Sequence, residues 1–358
     1  MAFDLNGHLA LLGKLRRHSL LATPETCFWG YIDREQPPCL TVDDGDVIEV
    51  EAVTHHAGDA PDLLMDDGIR ALWSGIEELA RGPGVHILTG PIHVRGAEPG
   101  DTLAVRILDM VPRLRYGSNC AANWGLLYPS FGKERITIYG LDDGDDESFP
   151  STASPVFGFD FSARPLYDLP GVVSEPGSVT RQPFSRRIHI PVRPHFGVMG
   201  VAPADAGRRS SIPPDVFGGN VDNWRVGPGA TMCYPVFVPG ANLYVGDPHF
   251  AQGDGEICGT AIEASLNAVI QVSVIKNLTI TSPVLQTPTH WYTHGFGADL
   301  DQAMTMAAEQ MLTFLVDHFS LTRDDAYSLA SVAMDLGVTQ VVDATLGCHA
   351  GIDRAILA

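Results

Sequence analysis

The sequence predicts a β-rich α+β chain with sandwich or barrel elements and two helices near its C-terminal end. Three observations carry that prediction. Short runs of alternating or continuous apolar residues, bounded by Gly, Pro and Asp, recur between residues 40 and 280. Strong helical periodicity is concentrated between Ala298 and Leu336. No alternation of strand and helix runs through the chain, as a parallel doubly wound sheet would require.

Taken in order, residues 5–21 suit a short amphipathic helix or a loose arm. Leu40 to Val53 alternates around an Asp-Gly pair and reads as a half-buried hairpin. His55 and His56 follow in a Gly/Asp/Pro segment expected to be a surface loop. Ile69, Leu72, Trp73, Ile76 and Leu79 share helical spacing and predict a helix over 69–79. Residues 86–94 form a strand interrupted by Gly90-Pro91, and Leu103 to Val111 another. Between Arg115 and Leu127, polar residues surround Trp124, an aromatic wall suited to a pocket. Residues 141–183, rich in Asp, Pro, Ser and Gly, read as an exposed excursion, a lid or an oligomer contact, with a disordered linker as the competing reading. Residues 188–192 resume a strand, and 268–280 form a β-rich run. The Gly-rich segments around His195 and Asn220 make poor core and good site material. Leu300, Met304, Ala307, Met311, Leu315 and Phe319 line one stripe of a helix over 298–319. A second helix spans 326–336, and Val338 to Val342 is a short buried strand.

Charge and cysteine usage narrow the function. A formal net charge of −20 opposes binding to nucleic acid or an anionic membrane through a bulk basic field. No apolar run is long enough to span a bilayer, and the N-terminal apolar stretch is too short for a secretory signal, so a cytoplasmic location is expected. Six scattered cysteines without a Cys-x-x-Cys pair read as reduced core thiols.

The chemistry concentrates in residues 245–263. Asp247, His249, Asp254 and Glu256 stand among four glycines, between apolar flanks. Asp247 and His249 are two apart, so in extended chain they project from one face; Asp254 and Glu256 repeat the spacing. Such a group can hold a divalent metal or act as acid and base. A single Asp-Gly would be a turn cap; the ensemble points to a site. Gly-x-Ser-x-Gly, His-Glu-x-x-His and P-loop patterns are missing. Cys258 reads as a buried strand thiol, with a cysteine nucleophile as the alternative. Glu263, in an apolar strand, reads as an edge-facing carboxylate, and His93 and His189 as strand histidines.

The stretch Gly246-Asp247-Pro248-His249-Phe250-Ala251-Gln252-Gly253-Asp254-Gly255-Glu256 resembles the Gly-Asp-x-His-x-x-x-Gly-Asp-Gly-Glu motif of the acetamidase/formamidase family. Thr89-Gly90-Pro91-Ile92 with 96–101, the block 194–203, Gly218-Gly219-Asn220-Val221-Asp222, and 335–343 with His349 resemble further blocks of that family, in order. The resemblance runs from about residue 26 to near the end, which leaves 1–25 as an N-terminal arm and 26–358 as one catalytic domain. It implies a β-sandwich-based fold with a smaller α/β portion, oligomeric assembly as a dimer or higher, and hydrolysis of small neutral amides such as formamide and acetamide. A divalent metal, Zn²⁺ or alternatively Ca²⁺, is expected with it. The carry-over brings Asp247, His249, Asp254, Glu256, Asn220, Asp222 and His195 to the site. We assign Asp222, Asp247 and His249 as metal ligands, Glu256 as general base, Asp254 and His195 as further catalytic groups, and Asn220, Trp124 and Gly253 to the substrate. Relatives read Val-His-Trp-Gly where this chain has Cys27-Phe28-Trp29-Gly30. The 55–56 loop and the 141–183 excursion map to no family block and allow a lactam, carbamate or substituted amide. A non-catalytic β-sandwich binding Ca²⁺ or carbohydrate is the alternative from another class, although His249 suits Ca²⁺ poorly.

Overall fold

The computed structural model describes residues 16–142, 150–161, 179–186, 188–276 and 278–357. Among these residues three main sheets form. The largest has nine strands, in the order Arg17–Leu20, Val47–Ala52, Leu266–Ile275, Thr102–Pro112, Thr231–Pro235, Val284–Gln286, His290–Gly297, Leu346–Asp353 and Met334–Gln340. All neighbours in it are antiparallel except the first pair. The second sheet orders Gly218–Asn220, His195–Gly200, Leu243–His249, Ile87–Val94 and Cys27–Trp29, with Leu40–Val42 added parallel to Ile87–Val94. The third pairs Gln182–Pro183, Thr152–Phe161, Glu134–Leu141 and Tyr116–Ala121, with Ile190–Pro191 beside the second of these.

Packing explains the arrangement. Alternate residues of the nine-stranded sheet, including Ile48, Val105, Met232 and Ile270, face Leu88, Phe196, Val198 and Leu243 of the second sheet across one buried core. That is a sandwich, as expected. The opposite face of the large sheet, with Trp291, Cys348 and Ile352, is covered by helices Leu300–Phe319 and Arg323–Ala333. A third cluster packs Ile136, Ile138 and Phe159 against Leu64, Ile69 and Leu72 of the short helices Pro61–Leu64 and Asp67–Gly75.

Several expectations need correction. Leu40–Val42 and Val47–Ala52 are not a hairpin: they enter different sheets, and the turn between them crosses the edge of the sandwich. Alternation marked both as half-buried, but it cannot say which sheet each strand joins. Residues 87–94 form one continuous strand through Gly90-Pro91. The second late helix ends at Ala333, and Met334–Gln340 is a strand. Residues 152–161 of the supposed excursion are a sheet strand, while 143–149 and 162–178 lie outside the described residues. Residues 17–20 of the N-terminal arm form the edge strand; residues 1–15, the bulk of the helix or arm expected over 5–21, lie outside the described residues. The Gly-rich segments thought poor core material are core: every residue of His195–Gly200 and Gly218–Asn220 is buried. No described helix is long and apolar enough to cross a membrane.

Candidate active site

Residues 249–263 join the three sheets. Glu263 bridges to both Ser118 and His249, and Gly255 bridges to Gln340. Strand ends from each of the three main sheets therefore meet around one narrow cleft, open to solvent at its mouth. His55 and His56 arrive just after Val47–Ala52, and His86 just before Ile87–Val94. Asp222 follows Gly218–Asn220, and Asp343 follows Met334–Gln340. Asn220, Asp222, Asp247, Glu256, Glu263 and Asp343 line the cleft with His55, His56 and His86, and Trp124 and Thr260 form part of its wall.

Three of the acidic residues hold a backbone that side chains rarely adopt. Asp222, Asp247 and Glu256 have φ of 50°, 48° and 45°. Left-handed backbone at non-glycine positions costs of order 1–3 kcal/mol each and clusters where function holds it. It also decides direction. The turn at Glu256 sends that carboxylate into the cleft while Asp254 stays outside, its side chain 47% exposed and paired with Arg225 at 3.1 Å and with the Trp224 indole N–H at 2.8 Å. Asp254 and Gly253, both exposed, do not reach the cleft, because extended-chain spacing does not apply across this turn.

A histidine network lies beneath the carboxylates. His249 Nε2 is 3.0 Å from Asp247 Oδ2 and 3.2 Å from Glu263 Oε1, and its Nδ1 is 3.1 Å from His195 Nε2. His195, fully buried behind His249, also contacts the Arg193 carbonyl at 2.7 Å and Gln252 at 3.1 Å. It supports His249 and does not line the cleft. His86 Nδ1 lies 3.1 Å from the Ser211 carbonyl, so donation there leaves its Nε2 lone pair facing Asp247 Oδ2, 3.8 Å away. His55 Nδ1 is 3.5 Å from Asp247 Oδ1. His56 is tied to Asp59 at 2.9 Å, and the Ser118 hydroxyl donates to the same Asp59 oxygen. Gly197 forms the floor: a Cβ there would sit 2.5 Å from Asp247 Oδ2 and 2.6 Å from Asp222 Oδ1, so only glycine lets both carboxylates converge.

The electrostatics are those of a carboxylate surplus. Burial, then Asp247, pushes Asp222 up to about 7. Burial, then Asp222, raises Glu256 and Asp343 well above the usual carboxylate range, and burial with Asp247 raises Glu263. Burial opposes ionisation of Asp247, but His249 and His86 hold it well below that range. Burial likewise opposes a charge on His249, yet Glu263 and Asp247 hold it well above an ordinary imidazole. Burial, then His56, depresses His55 to about 3, and burial lowers His86. Neutral imidazoles beside buried acids are the protonation states that bind metals.

The sequence reading missed His55, His86, Glu263 and Asp343 as site residues. His55 lay in a supposed surface loop and is buried. His86 lay at a strand start with nothing to distinguish it, and Glu263 read as edge-facing but is 2% exposed. Among described residues Cys258 makes contacts with Asn119 at 3.2 Å and the Thr260 carbonyl at 3.6 Å and lies outside the cleft, which leaves a cysteine nucleophile without a base. Phe28 packs on Tyr31 and Tyr244 in the core. His189 pairs with Asp142 at the surface.

Comparison with known proteins identifies the family. The profile of the acetamidase/formamidase family matches residues 33–210 and 204–353. An acetamidase from Mycolicibacterium smegmatis is 35% identical over 221 residues, 53% of this chain and 54% of the relative. A formamidase from Methylophilus methylotrophus is 31% identical over 247 residues, 58% of each. The matches thus span little more than half the length of these curated relatives. Among solved structures, an acetamidase from Bacillus halodurans superposes with a TM-score of 0.73 at 26% identity, covering 94% of this chain and 98% of that one. An acetamidase from Yersinia enterocolitica gives 0.72 at 26% identity over 97% and 94%. The sandwich, the ordered motifs and the profile together show that the chain belongs to the acetamidase/formamidase family.

Proposed function

We propose that this protein hydrolyses the C–N bond of a small neutral amide to a carboxylate and ammonia, with a divalent metal, Zn²⁺, in the cleft. The carrying observation is the set of buried polar atoms that make no hydrogen bond among the described residues: His55 Nδ1, both oxygens of Asp222, Asp247 Oδ1, Glu263 Oε2 and Asp343 Oδ2. Leaving such atoms unsatisfied is costly, and a cation among them removes the cost. Ligand atoms of His55, His86 and Asp247 lie within 4.8 Å of one another, and so do those of Asp222, Asp247 and His249. The first group suits zinc best, since His86 fixes its tautomer through Ser211 whereas both nitrogens of His249 are engaged in the network beneath. The all-oxygen trio Asp222, Glu256 and Asp343 would suit Ca²⁺ instead. Bound zinc supplies an acidified water and a Lewis acid for the carbonyl.

The chain's own groups complete the reaction. Glu256, buried and with a raised pKa, accepts the proton of the attacking water and returns it to the leaving nitrogen. Asn220 presents an amide to the cleft, its Oδ1 unpartnered, able to pair with the substrate's NH₂. His249, held charged by Glu263 and Asp247, keeps positive charge beneath the site where an oxyanion develops. His195 holds the orientation of His249.

Ammonia release from formamide, acetamide, lactams and ethyl carbamate, with metal-stripped and zinc-restored protein, tests this reading. Turnover of small linear amides that vanishes on stripping and returns with zinc is expected. Turnover indifferent to metal would remove the metal, and silence across the panel would remove the activity. The free thiols support a reducing, cytoplasmic location, which cell fractionation checks. Val332 at 82% and Tyr327 at 72% exposed, beside the edge strand Met334–Gln340, support a homo-oligomer through that face. Light scattering of Val332→Lys should then show dissociation; an unchanged mass rules out that face.

A further inference from the structure

We propose that the indole of Trp124, seated on Gly259, is the partition that limits substrate acyl length, and that an apolar chamber behind it is the space a longer chain would fill. The proposal rests on the amide-hydrolase reading above and adds the residue that sets its specificity.

Two turns build the partition. In one, the Gly125 N–H donates to the Ala122 carbonyl at 2.9 Å; in the other, the Gly259 N–H donates to the Glu256 carbonyl at 2.8 Å. The Leu126 N–H donates to the Ile257 carbonyl at 2.8 Å and joins the two. Gly259 has φ of 90°, and a Cβ on it would overlap the Trp124 ring, so the indole lies directly against this glycine's backbone. A Cβ on Gly125 would stand 3.1 Å from the Cys258 carbonyl. The indole and Gly259 line the cleft, while Gly125 and Cys258, their neighbours in these two turns, line the space beyond.

Each side of it faces a different cavity. Trp124, Gly259 and Thr260 face the cleft that holds Asp222, Asp247 and Glu256. Ala122, Gly125 and Cys258, with Leu127, Tyr128 and Phe131, face a second space, an apolar chamber open to solvent on the side of Leu127 and Phe131. Among the residues lining that chamber Lys133 carries the one charged side chain, and none of the cleft's acids reaches it. The cleft has metal-binding and proton-transfer groups but little apolar wall beyond Trp124, Val85 and Ile212. The chamber has apolar wall and no such chemistry. An acyl chain growing from a carbonyl beside Glu256 in the direction of Gly259 meets the indole first. Because Glu256 begins the turn that ends at Gly259, the catalytic group and the partition are placed by the same few residues.

The test is the chain-length profile of kcat/KM from formamide through acetamide, propionamide and butyramide to hexanamide, for wild type, Trp124→Phe, Trp124→Val and Trp124→Ala. In Trp124→Ala the hexanamide-to-acetamide ratio should rise about 100-fold, mostly through KM, with Trp124→Val following and Trp124→Phe near wild type. Refilling the chamber with Cys258→Met in the Trp124→Ala background should bring the ratio back. A ratio within about threefold of wild type in folded Trp124→Val or Trp124→Ala overturns the proposal, as does a uniform loss of kcat on every amide. Failure of the underlying reading is seen separately, as wild-type protein that releases no ammonia from any amide. Calorimetric titration with the same amides then decides: tighter hexanamide binding to Trp124→Ala than to wild type supports the partition, and equal affinities refute it.

Discussion

Glu256 and Asp254 stand two residues apart, and two consecutive left-handed backbone angles, φ of 98° at Gly255 and 45° at Glu256, send them to opposite sides of the chain. Glu256 enters the cleft; Asp254 remains with Arg225 at the surface. Their substitutions should separate as cleanly. Glu256→Gln is expected to keep the fold and lower kcat by about 10²–10⁴, the usual worth of a general base. Asp254→Asn should change kcat by no more than about threefold, since an exposed ion pair contributes little. Ammonia-release kinetics of both variants check this, and equal losses would reverse the assignment. The Asp-Gly-Glu motif was legible in the sequence, but the direction of each acid was not. Period-2 reasoning assumes extended backbone, and the left-handed angles at Gly255 and Glu256 break it.

Among the elements, helix Asp67–Gly75 shows how a short segment is held where the site needs it. Asp66 caps it by accepting from the Ile69 N–H at 2.8 Å and pairs with Arg113 at 2.7 Å, while Arg113 also reaches Glu51 at 2.8 Å. Leu72 and Ile69 then pack with Ala57 and Ala60, beside the His55 and His56 turn. Asp66→Ala should lower stability by roughly 1–2 kcal/mol from the lost cap alone. Burial opposes ionisation of Asp66, but Arg113 and the Ile69 N–H hold its pKa below the usual value. Its contribution is therefore present above the unfolded value near 4 and lost as pH falls through the lower folded value. Urea midpoints of wild type and Asp66→Ala should differ at pH 7 and converge in acid; a constant difference would point to the cap without the charge.

At the scale of the molecule, the cleft couples stability to metal and to protons. Asp222, Glu256, Glu263 and Asp343 all have raised folded pKa values. Carboxyls of that kind stabilise the fold below their unfolded values and lose that contribution as pH rises through the folded ones. Metal-stripped protein should accordingly lose stability from about pH 4 upward, through the window in which Asp222 titrates near 7. A bound cation favours the ionised acids, so zinc should raise Tm more at pH 8 than at pH 5, by several degrees when zinc is at 100 times its Kd and adds about 2.7 kcal/mol. Thermal melts across that range check it, and a zinc shift independent of pH would place the metal away from these acids.

The class of fold, the two late helices, the ordered family blocks and the central stretch 245–263 are legible in the residues alone, because each is written in local periodicity or contiguous motif. Those blocks also brought Asn220, Asp222, Asp247, His249 and Glu256 to one site, and the polar loop 115–127 offered Trp124 as a pocket wall. That Leu40–Val42 and Val47–Ala52 belong to different sheets emerges from the packed structure, since alternation is the same whichever partner a strand takes. That structure alone brought in His55, His86, Glu263 and Asp343, which come from strand ends 288 residues apart at the extremes, His55 to Asp343. No local pattern marks a residue whose role comes from a neighbour that far along the chain. The cleft lies where three sheets meet, and the meeting of sheets is a property of packing.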